Sequence, residues 1–361
     1  MTDPIETPSN GIPPTNRETL FVTAATSPWG AENSLKTIIQ FSVPNERISV
    51  LHSSTEIGSF LHSNQIDALV CPSSSKGRIG KLLDFYREIV KAHRTKTVVI
   101  FSLQLSPLSL LLRLDPRFKG RTVLDVHDVP ESRSDMFFAR TFARTANRTI
   151  SISEYVHDAL KRPRNGAIIA RPIADTRKST AKDDKAYENI GIVGRVDPEK
   201  HVDLAIDAMH YLPERITLKI YGKPFLADSV YEDQLREKAS QLGPNRVHFM
   251  GVHPIDEICE NISVLIVCNP NEPSGRTVGE AMLRGVPAVV PHLGGSKEYL
   301  SPDHQDRIYQ SLDARSLASK IKEQLESNHS TASLESDADW IIATRNPAKI
   351  SRDYLITVHD R

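Results

Sequence analysis

Cysteine is scarce in this chain of 361 residues, and its scarcity excludes a disulfide-stabilised scaffold. The three cysteines, Cys71, Cys259 and Cys268, lie in or beside apolar runs. They have neither paired spacing nor a nearby histidine cluster, which a metal site would require. We therefore expect buried thiols in a reducing, cytoplasmic compartment.

Long apolar runs are also missing. The most apolar segment, 98–114, contains Arg113, Pro107 and several other polar residues, so it falls short of a membrane span. Residues 1–18 are rich in proline, threonine, serine and asparagine and have neither a basic start nor an apolar centre. We predict a disordered tail there, and not a signal peptide.

The chain has no net charge, because 45 basic residues balance 45 acidic ones, and this argues against a dedicated nucleic-acid binder. The charges are unevenly distributed: residues 1–175 carry 22 Lys and Arg against 17 Asp and Glu. This excess is either ordinary surface variation or an attraction to an acidic partner, such as a phospholipid surface or a lipid-linked phosphate acceptor. The second interpretation allows peripheral contact with the inner face of a membrane.

No Gly-x-Gly-x-x-Gly follows a predicted strand, which counts against a nicotinamide-dependent dehydrogenase. What the chain does contain is a repeated alternation of apolar strands and amphipathic helices, which predicts parallel α/β sheets. The length suits two domains. We predict a tail at 1–18, a first Rossmann-like domain at 19–175, a polar linker at 176–188, a second Rossmann-like domain at 189–337, and a terminal helical segment at 338–361 for which a return to the first domain is one option.

The stretch 271–285 is the most informative part of the sequence. It connects an apolar strand at 264–268 to another at 286–290. Gly275 lets the backbone approach a ligand closely, a helix is expected from Arg276, and Gly285 is suited to end it. The start of such a helix favours an anionic ligand.

Two carboxylates, Glu272 and Glu280, bracket this turn with seven residues between them. A carboxylate beside an anion site is suited to accept hydrogen bonds from hydroxyl groups. Phosphate and hydroxyls together indicate a sugar nucleotide. The alternative for either glutamate alone is an ordinary solvated side chain.

The spacing of Glu272 and Glu280, followed by Gly294-Gly295-Ser-Lys-Glu298, resembles the E-x7-E signature of retaining glycosyltransferases of family 4. Ser274 stands where that family usually has an aromatic residue. The resemblance implies the GT-B fold, in which two Rossmann-like domains face each other across a cleft. It also implies a donor-binding loop, which here comprises Ser274, Gly275, Arg276, Thr277 and Glu280.

The first turn of the second domain places two cations beside a strand end. The strand ends at Gly194, Arg195 follows, Asp197 is predicted to cap a helix, and Lys200 lies in its first turn. Gly-Arg-x-Asp-x-x-Lys resembles the diphosphate-binding motif of the same family. Gly222, after the next strand, is assigned to the donor site as well. Solvent exposure without function is the alternative for Arg195 and Lys200.

Two features of the first domain face the same predicted cleft. Gly30 lies in the first strand-to-helix turn, within a Gly-Ala-Glu that resembles the family's first loop. His127 follows an apolar strand and resembles the family's His-Asp step, which approaches the sugar. Turn chemistry is the alternative for Gly30, and a structural role is the alternative for His127.

The resemblance implies a glycosyltransferase that uses a UDP- or GDP-sugar, retains anomeric configuration and acts on a glycan, lipid-linked or small-molecule acceptor. His127, Arg195, Lys200 and Glu272 are the predicted catalytic residues. We expect no cofactor, and no metal, because the cations can stabilise the departing diphosphate and no Asp-x-Asp follows a strand.

Two alternatives remain open. A sugar-nucleotide 2-epimerase of the same fold should carry further acid–base carboxylates and histidines in the second domain. A catalytically silent partner subunit would be expected to have lost Arg195, Lys200 or Glu272, all of which are present.

Overall fold

The computed structural model describes residues 18–28, 30–42, 46–72, 77–130, 132–174, 177, 188–224, 230–327 and 331–360. The predicted tail lies outside the described residues, except that Glu18 belongs to the first strand. The predicted linker also lies outside them, apart from Arg177 and Glu188.

The first domain is a seven-stranded parallel sheet with helices on both faces. Its elements are β1 (Glu18–Thr23), α1 (Gly30–Gln40), β2 (Arg47–His52), α2 (Thr55–Ser63), β3 (Asp67–Val70), α3 (Arg78–Ala92), β4 (Thr97–Ile100), α4 (Leu108–Leu114), β5 (Arg121–Val126), α5 (Arg133–Thr145), β6 (Arg148–Ser151), α6 (Glu154–Ala159) and β7 (Gly166–Ile168). The strand order is β3-β2-β1-β4-β5-β6-β7. The central strands β1, β4 and β5 are buried beyond their first residue because both faces of the sheet are covered.

The second domain is a six-stranded parallel sheet in the order β10-β9-β8-β11-β12-β13. Its elements are β8 (Asn189–Val193), α7 (Val202–Ala208), β9 (Thr217–Tyr221), α8 (Val230–Ser240), β10 (Val247–Gly251), α9 (Ile255–Glu260), β11 (Val264–Ile266), α10 (Arg276–Met282), β12 (Ala288–Pro291), β13 (Ile308–Tyr309) and α11 (Ala314–Glu326). The predicted fold class, two Rossmann-like parallel-sheet domains, is confirmed. In both sheets the strand order reverses beside the first strand of the domain, which opens a crevice at the carboxyl ends of the strands.

The end of the chain forms two helices, α12 (Thr331–Arg345) and α13 (Pro347–His359), where the sequence indicated one segment. Asn346 accepts a hydrogen bond from the backbone N–H of Lys349, and Pro347 occupies the first position of α13, so the chain restarts a helix there. Tyr354, Leu355 and Val358 of α13 are buried in the apolar core of the first domain. The chain therefore returns to the first domain.

The three cysteines are free thiols and all are buried, as the sequence predicts. Burial raises the pKa of the Cys71 thiol to about 12, and the carboxylates of Asp84 and Glu88 act in the same direction. In the described part of the chain, no helix is long and apolar enough to cross a membrane.

Candidate active site

A cavity of about 860 Å³ lies at the carboxyl ends of the strands, and residues of both domains line it. Of the twelve residues that the sequence assigns to a site, eleven line this cavity: Gly30, His127, Gly194, Arg195, Lys200, Gly222, Glu272, Ser274, Gly275, Arg276 and Thr277. They come together because each follows the carboxyl end of a strand or lies in the turn after it. The parallel arrangement brings those turns to one edge of each sheet.

Lys200 and Glu272 form an ion pair in the cavity wall. The Lys200 Nζ donates to Glu272 Oε2 at 2.6 Å, and the Asn269 side-chain amide donates to the same oxygen at 3.3 Å. Both charged side chains remain partly exposed, at 25% and 19%. A ligand in the cavity can therefore reach the ammonium group as well as the carboxylate.

Arg195 lies beside this pair in the turn after β8. The sequence predicts that Asp197 caps a helix starting at Pro198. Asp197 does occupy the N-cap position and Pro198 the first helical position, but the Asp197 side chain makes no capping hydrogen bond and the helix is shorter than expected. Residues Pro198–Lys200 form a single 3-10 turn, His201 adopts a left-handed conformation with φ +49°, and α7 begins only at Val202. Asp197 instead pairs with Arg195, with Nη1 and Oδ2 3.0 Å apart, and this contact orients the guanidinium group.

The loop that carries Glu272 is fixed by close backbone packing. Gly275 has φ +86°, and a Cβ atom there would lie 2.5 Å from Ser296 Oγ. The backbone N–H of Gly295 donates to Glu272 O at 2.8 Å. A Cβ atom on Gly295 would meet the Pro273 carbonyl oxygen at 2.4 Å, so only glycine allows this approach. The glycines of the sequence motif thus hold the Glu272 loop against the next turn.

Ser274 is buried in this loop. Its hydroxyl shares a hydrogen bond with the Tyr299 hydroxyl at 3.0 Å. The position where the resembling family usually has an aromatic residue is therefore filled here by a small side chain that is anchored from the second domain.

Glu280 is the predicted site residue that is not among the lining residues. It lies one turn into α10, where Arg276 Nη2 donates to Glu280 Oε1 at 2.8 Å. Arg276 also crosses to the first domain, where its Nη1 donates to Ser34 Oγ of α1 at 2.8 Å. Arg276 therefore lines the cavity, whereas Glu280 does not line it and contacts Arg276.

The helix that follows Gly275 is short. It spans seven residues, Arg276–Met282, and not the longer segment that the sequence indicates. Two helical turns carry only a small dipole, so the cationic side chains that line the cavity, Arg195 and Lys200 among them, are better suited than this helix to attract an anion.

Glu298, the last residue of the sequence motif, joins the two domains. Its carboxylate accepts hydrogen bonds from the backbone N–H groups of Glu154 and Tyr155, each at 3.0 Å, in the first turn of α6. Burial raises the pKa of the Glu298 carboxyl, although these two donors favour its charged form. Ser153 adds a second bridge by donating to the Pro273 carbonyl oxygen at 2.6 Å.

His127 is held over a buried ionic cluster that the sequence does not reveal. Its Nδ1 lies 3.6 Å from Oδ1 of Asp125, which is fully buried. The Asp125 carboxylate also accepts hydrogen bonds from Arg171 and, at 2.6 Å, from the Tyr354 hydroxyl of α13. Arg171 itself lines the cavity. We define Asp125, Arg171 and Tyr354 as the Asp125 cluster.

The surroundings of the Asp125 carboxyl favour its charged form. Burial alone would raise the pKa of the Asp125 carboxyl, but Arg171 and His127 outweigh it and lower the pKa to about 2. Neither Arg171 nor Tyr354 carries a local pattern that marks a site, and Asp125 is notable only as part of an Asp-Val-His-Asp that lacks metal-ligand spacing. Among the described residues there is no group of three or more His, Cys, Asp or Glu side chains placed to hold a metal ion.

A comparison with known protein families finds a match to the second domain and α12. Residues 173–346, which include Arg195, Lys200, Glu272 and Glu280, match the model of the family "Glycosyl transferases group 1". A sequence comparison with curated proteins finds no match.

Solved structures resemble 95% of the chain. A crystal structure of Anabaena HepE in complex with UDP and glucose is 21% identical, covers 95% of this chain and 99% of its own, and has a TM-score of 0.82. A glycosyltransferase from Rickettsia africae is 15% identical, with coverages of 95% and 98% and a TM-score of 0.76. A TarM G117R mutant from S. aureus, in complex with Fondaparinux, alpha-GlcNAc-glycerol and UDP, is 11% identical, with coverages of 95% and 100% and a TM-score of 0.75. The predicted GT-B fold is confirmed.

The first prediction concerns the packing at Gly275. Gly275 and Gly243 have similar positive φ values, +86° and +91°, but a Cβ atom at Gly243 would meet nothing within 4 Å. Gly243→Ala should therefore lower the free energy of unfolding only by the cost of a positive φ for a residue with a side chain, about 1–2 kcal/mol. Gly275→Ala should lose clearly more, because the methyl group also displaces Ser296. Urea unfolding measures the free energy of unfolding of both variants. Equal losses of stability would show that the loop around Gly275 accommodates a side chain.

The second prediction concerns pH and the Asp125 cluster. Asp125→Asn leaves Arg171 buried without its counter-ion, which should lower the unfolding free energy at pH 7 by about 3–5 kcal/mol. Because folding lowers the pKa of Asp125 to about 2 from an ordinary 3.8, its stabilisation is present above about pH 4 and is lost as pH falls toward 2.

The stability gap between wild type and Asp125→Asn should therefore narrow as the pH is lowered through this range. Asp128→Asn, at an exposed neighbouring carboxylate, is the matched control and should change stability by no more than about 0.5 kcal/mol. A gap that stays constant down to pH 2 would contradict the charge assignment.

Proposed function

We propose that this protein is a glycosyltransferase that transfers a sugar from a nucleotide-diphosphate sugar to an acceptor hydroxyl, with retention and without a metal ion. The observation that carries the proposal is the convergence of Arg195, Lys200 and Glu272 in one cavity walled by both domains. The match to the group 1 glycosyl transferase model covers these three residues and supports the same conclusion.

The donor is proposed to be a UDP-sugar. The structures of HepE and TarM that resemble this chain contain UDP, and HepE has also been crystallised with UDP-glucose. A GDP-sugar is the alternative, and the donor assay below includes it. The acceptor is proposed to be a glycan or a lipid-linked or small molecule that carries a free hydroxyl group.

The proposed chemistry follows from the charges around the cavity. Cleavage of the sugar–diphosphate bond develops negative charge on the departing diphosphate, and Arg195 and Lys200 supply fixed positive charge beside it. Glu272, which neighbours Lys200, would accept hydrogen bonds from sugar hydroxyls. His127 would approach the sugar from the first domain, on the side held by the Asp125 cluster.

Retention is proposed to occur by attack on the face from which the diphosphate departs. Glu272 is the only carboxylate among the described residues that line the cavity, and it is engaged by Lys200. A double displacement of the kind used by retaining glycosidases employs two carboxyl groups. A single paired carboxylate therefore favours a same-face displacement over a double displacement. It also counts against an epimerase, which would need further acid–base carboxylates.

The ribose of the donor is proposed to bind near Glu280. Its carboxylate is held by Arg276, so ribose hydroxyls would have to share or replace that contact. The cross-domain bond from Arg276 to Ser34 would then respond to donor binding. This gives a physical route by which the donor could alter the closure of the cleft.

The test is release of nucleoside diphosphate from UDP- and GDP-sugars in the presence of EDTA. Wild-type turnover should persist, and Lys200→Ala and Glu272→Ala should each lower kcat/KM by about 100-fold or more. Lys238→Ala is the matched control, because Lys238 makes an ion pair of the same 2.6 Å length with Asp207 away from the cavity. It should leave turnover unchanged.

Three results would count against the proposal. A requirement for added Mg²⁺ would contradict the metal-free mechanism. Full activity of Lys200→Ala would contradict the assigned diphosphate site. Binding of a nucleotide sugar without turnover of any donor would favour the catalytically silent partner subunit.

A further inference from the structure

The two ring nitrogens of His127 lie in different surroundings. Nδ1 is buried and has no hydrogen-bond partner among the described residues, although the side chain as a whole is 20% exposed and lines the cavity. The ring packs against Phe101, with centroids 4.7 Å apart. Because an imidazole has only two ring nitrogens, Nε2 is the one that a ligand in the cavity can reach.

The Asp125 carboxylate faces the buried nitrogen. Asp125 Oδ1 lies 3.6 Å from His127 Nδ1, which is longer than a hydrogen bond but close enough for one to form after a small rotation of the ring. Hydrogen bonds at active sites are often long before a ligand binds and shorten in its presence. Although burial opposes it, Arg171 and His127 lower the pKa of the Asp125 carboxyl to about 2. The charged carboxylate can only accept, so Nδ1 is the nitrogen that carries the proton.

Two further donors fix the orientation of this carboxylate. Arg171 donates from Nη2 to Oδ1, and the Tyr354 hydroxyl of α13 donates to Oδ2 at 2.6 Å. Burial raises the pKa of the Tyr354 hydroxyl well above its usual value, so Tyr354 is a neutral donor. With Oδ2 occupied by Tyr354, Asp125 presents Oδ1 to His127.

The ionisable groups around the contact between His127 and Asp125 come from three parts of the first domain. Asp125 lies on β5, Arg171 follows β7, and Tyr354 arrives on α13. Asp128, the residue after His127, is exposed, and its carboxylate accepts from the backbone N–H of the next residue. Asp125 is thus the buried anion of this group, and its charge is balanced by Arg171.

We propose that Asp125 and Tyr354 are positioning residues, which hold the neutral His127 ring with its proton on Nδ1 and an unprotonated Nε2 toward the cavity. Nε2 accepts a hydrogen bond from a hydroxyl group of the bound sugar. A ring that takes up a second proton donates from Nε2 and loses this contact. The contact with a sugar rests on the proposed function, whereas the tautomer and its control by Asp125 and Tyr354 do not.

Nitrogen NMR of the isotope-labelled full chain, without a ligand, measures the tautomer. At about pH 8, where an ordinary histidine is neutral, His127 should show a protonated Nδ1 and an unprotonated Nε2. The signals of His127 are assigned by their loss in His127→Gln. His62, which is exposed on α2, is the internal control and should show both tautomers in exchange. A protonated Nε2 on His127, or a mixture like that of His62, would overturn the proposal.

The pKa of His127, measured by the same NMR signals, tests the two positioning residues. Asp125→Asn removes the negative charge beside the ring, so the pKa of His127 should fall by about 1 or more. Tyr354→Phe removes a donor from the carboxylate and leaves more of its negative charge to act on the ring, so the pKa of His127 should rise. A purely structural role of Tyr354 would lower the stability and leave the pKa of His127 unchanged.

The matched control is Tyr231→Phe. The Tyr231 hydroxyl donates to Asp203 Oδ1 at 2.8 Å, and neither residue lines the cavity. This variant also breaks a hydrogen bond from tyrosine to aspartate, but it should leave the pKa of His127 unchanged. If Asp125→Asn does not fold, the comparison of Tyr354→Phe with Tyr231→Phe still decides. An unchanged or lower pKa of His127 in folded Tyr354→Phe would contradict the positioning role.

The dependence of kcat/KM on pH tests the contact with the sugar. Release of UDP from a donor sugar should weaken as the pH falls through the pKa of His127, because kcat/KM reports the protonation of the free enzyme. In Tyr354→Phe this loss should begin at a higher pH, by the amount that NMR measures for His127. A profile that stays at its wild-type position while the pKa rises would overturn the contact. If no donor sugar is hydrolysed, the proposed function fails, and the tautomer alone decides the positioning roles.

Discussion

The fixed position of the Glu272 loop is the constraint on which the rest of the site depends. On one side the loop is held by the backbone of Gly295, and on the other Ser153 of the first domain donates to the Pro273 carbonyl oxygen. The absence of side chains on Gly275 and Gly295 permits this packing. As a result, Glu272 is presented to Lys200 at the level where the two domains meet.

The ion pair between Lys200 and Glu272 places a cation and a carboxylate side by side in the cavity wall. Lys200 is held by one carboxylate and remains partly exposed, so it can be shared with an incoming anion. A diphosphate carries more negative charge than Glu272 and can engage both Lys200 and Arg195. Release of Glu272 from part of its contact with Lys200 would leave its oxygens free to accept hydrogen bonds from hydroxyl groups. In the proposed function, the same residues would thereby link binding of the diphosphate to binding of the sugar hydroxyls.

Much of this arrangement is predictable from the sequence because local signals coincide with the fold. Apolar strands followed by glycine-containing turns predict the parallel sheets, and the carboxyl ends of parallel strands lie at one edge. Arg195, Lys200 and Glu272 could therefore be assigned to one cleft although Lys200 and Glu272 are 72 residues apart. The helix after Gly194 was misjudged because His201 takes a left-handed conformation, which no simple pattern announces.

The Asp125 cluster was missed for a different reason. Tyr354 is 229 residues from Asp125, and the contact exists only because α13 returns to the first domain. Such a contact has no periodicity or spacing to reveal it. Glu280 was predicted to line the cavity, but Arg276 lines it instead. The two residues form a local ion pair, and this pairing, which the sequence pattern does not show, sets the orientation of the Glu280 side chain.

We propose that the cavity recognises a nucleotide through its diphosphate. Isothermal titration calorimetry with UDP and with uridine tests it most directly, because the two ligands share a base and a ribose and differ only in the charged group. We expect UDP to bind at least about 100-fold more tightly than uridine, with an affinity that weakens as salt is raised. Equal affinities for UDP and uridine, or no binding of UDP, would contradict it.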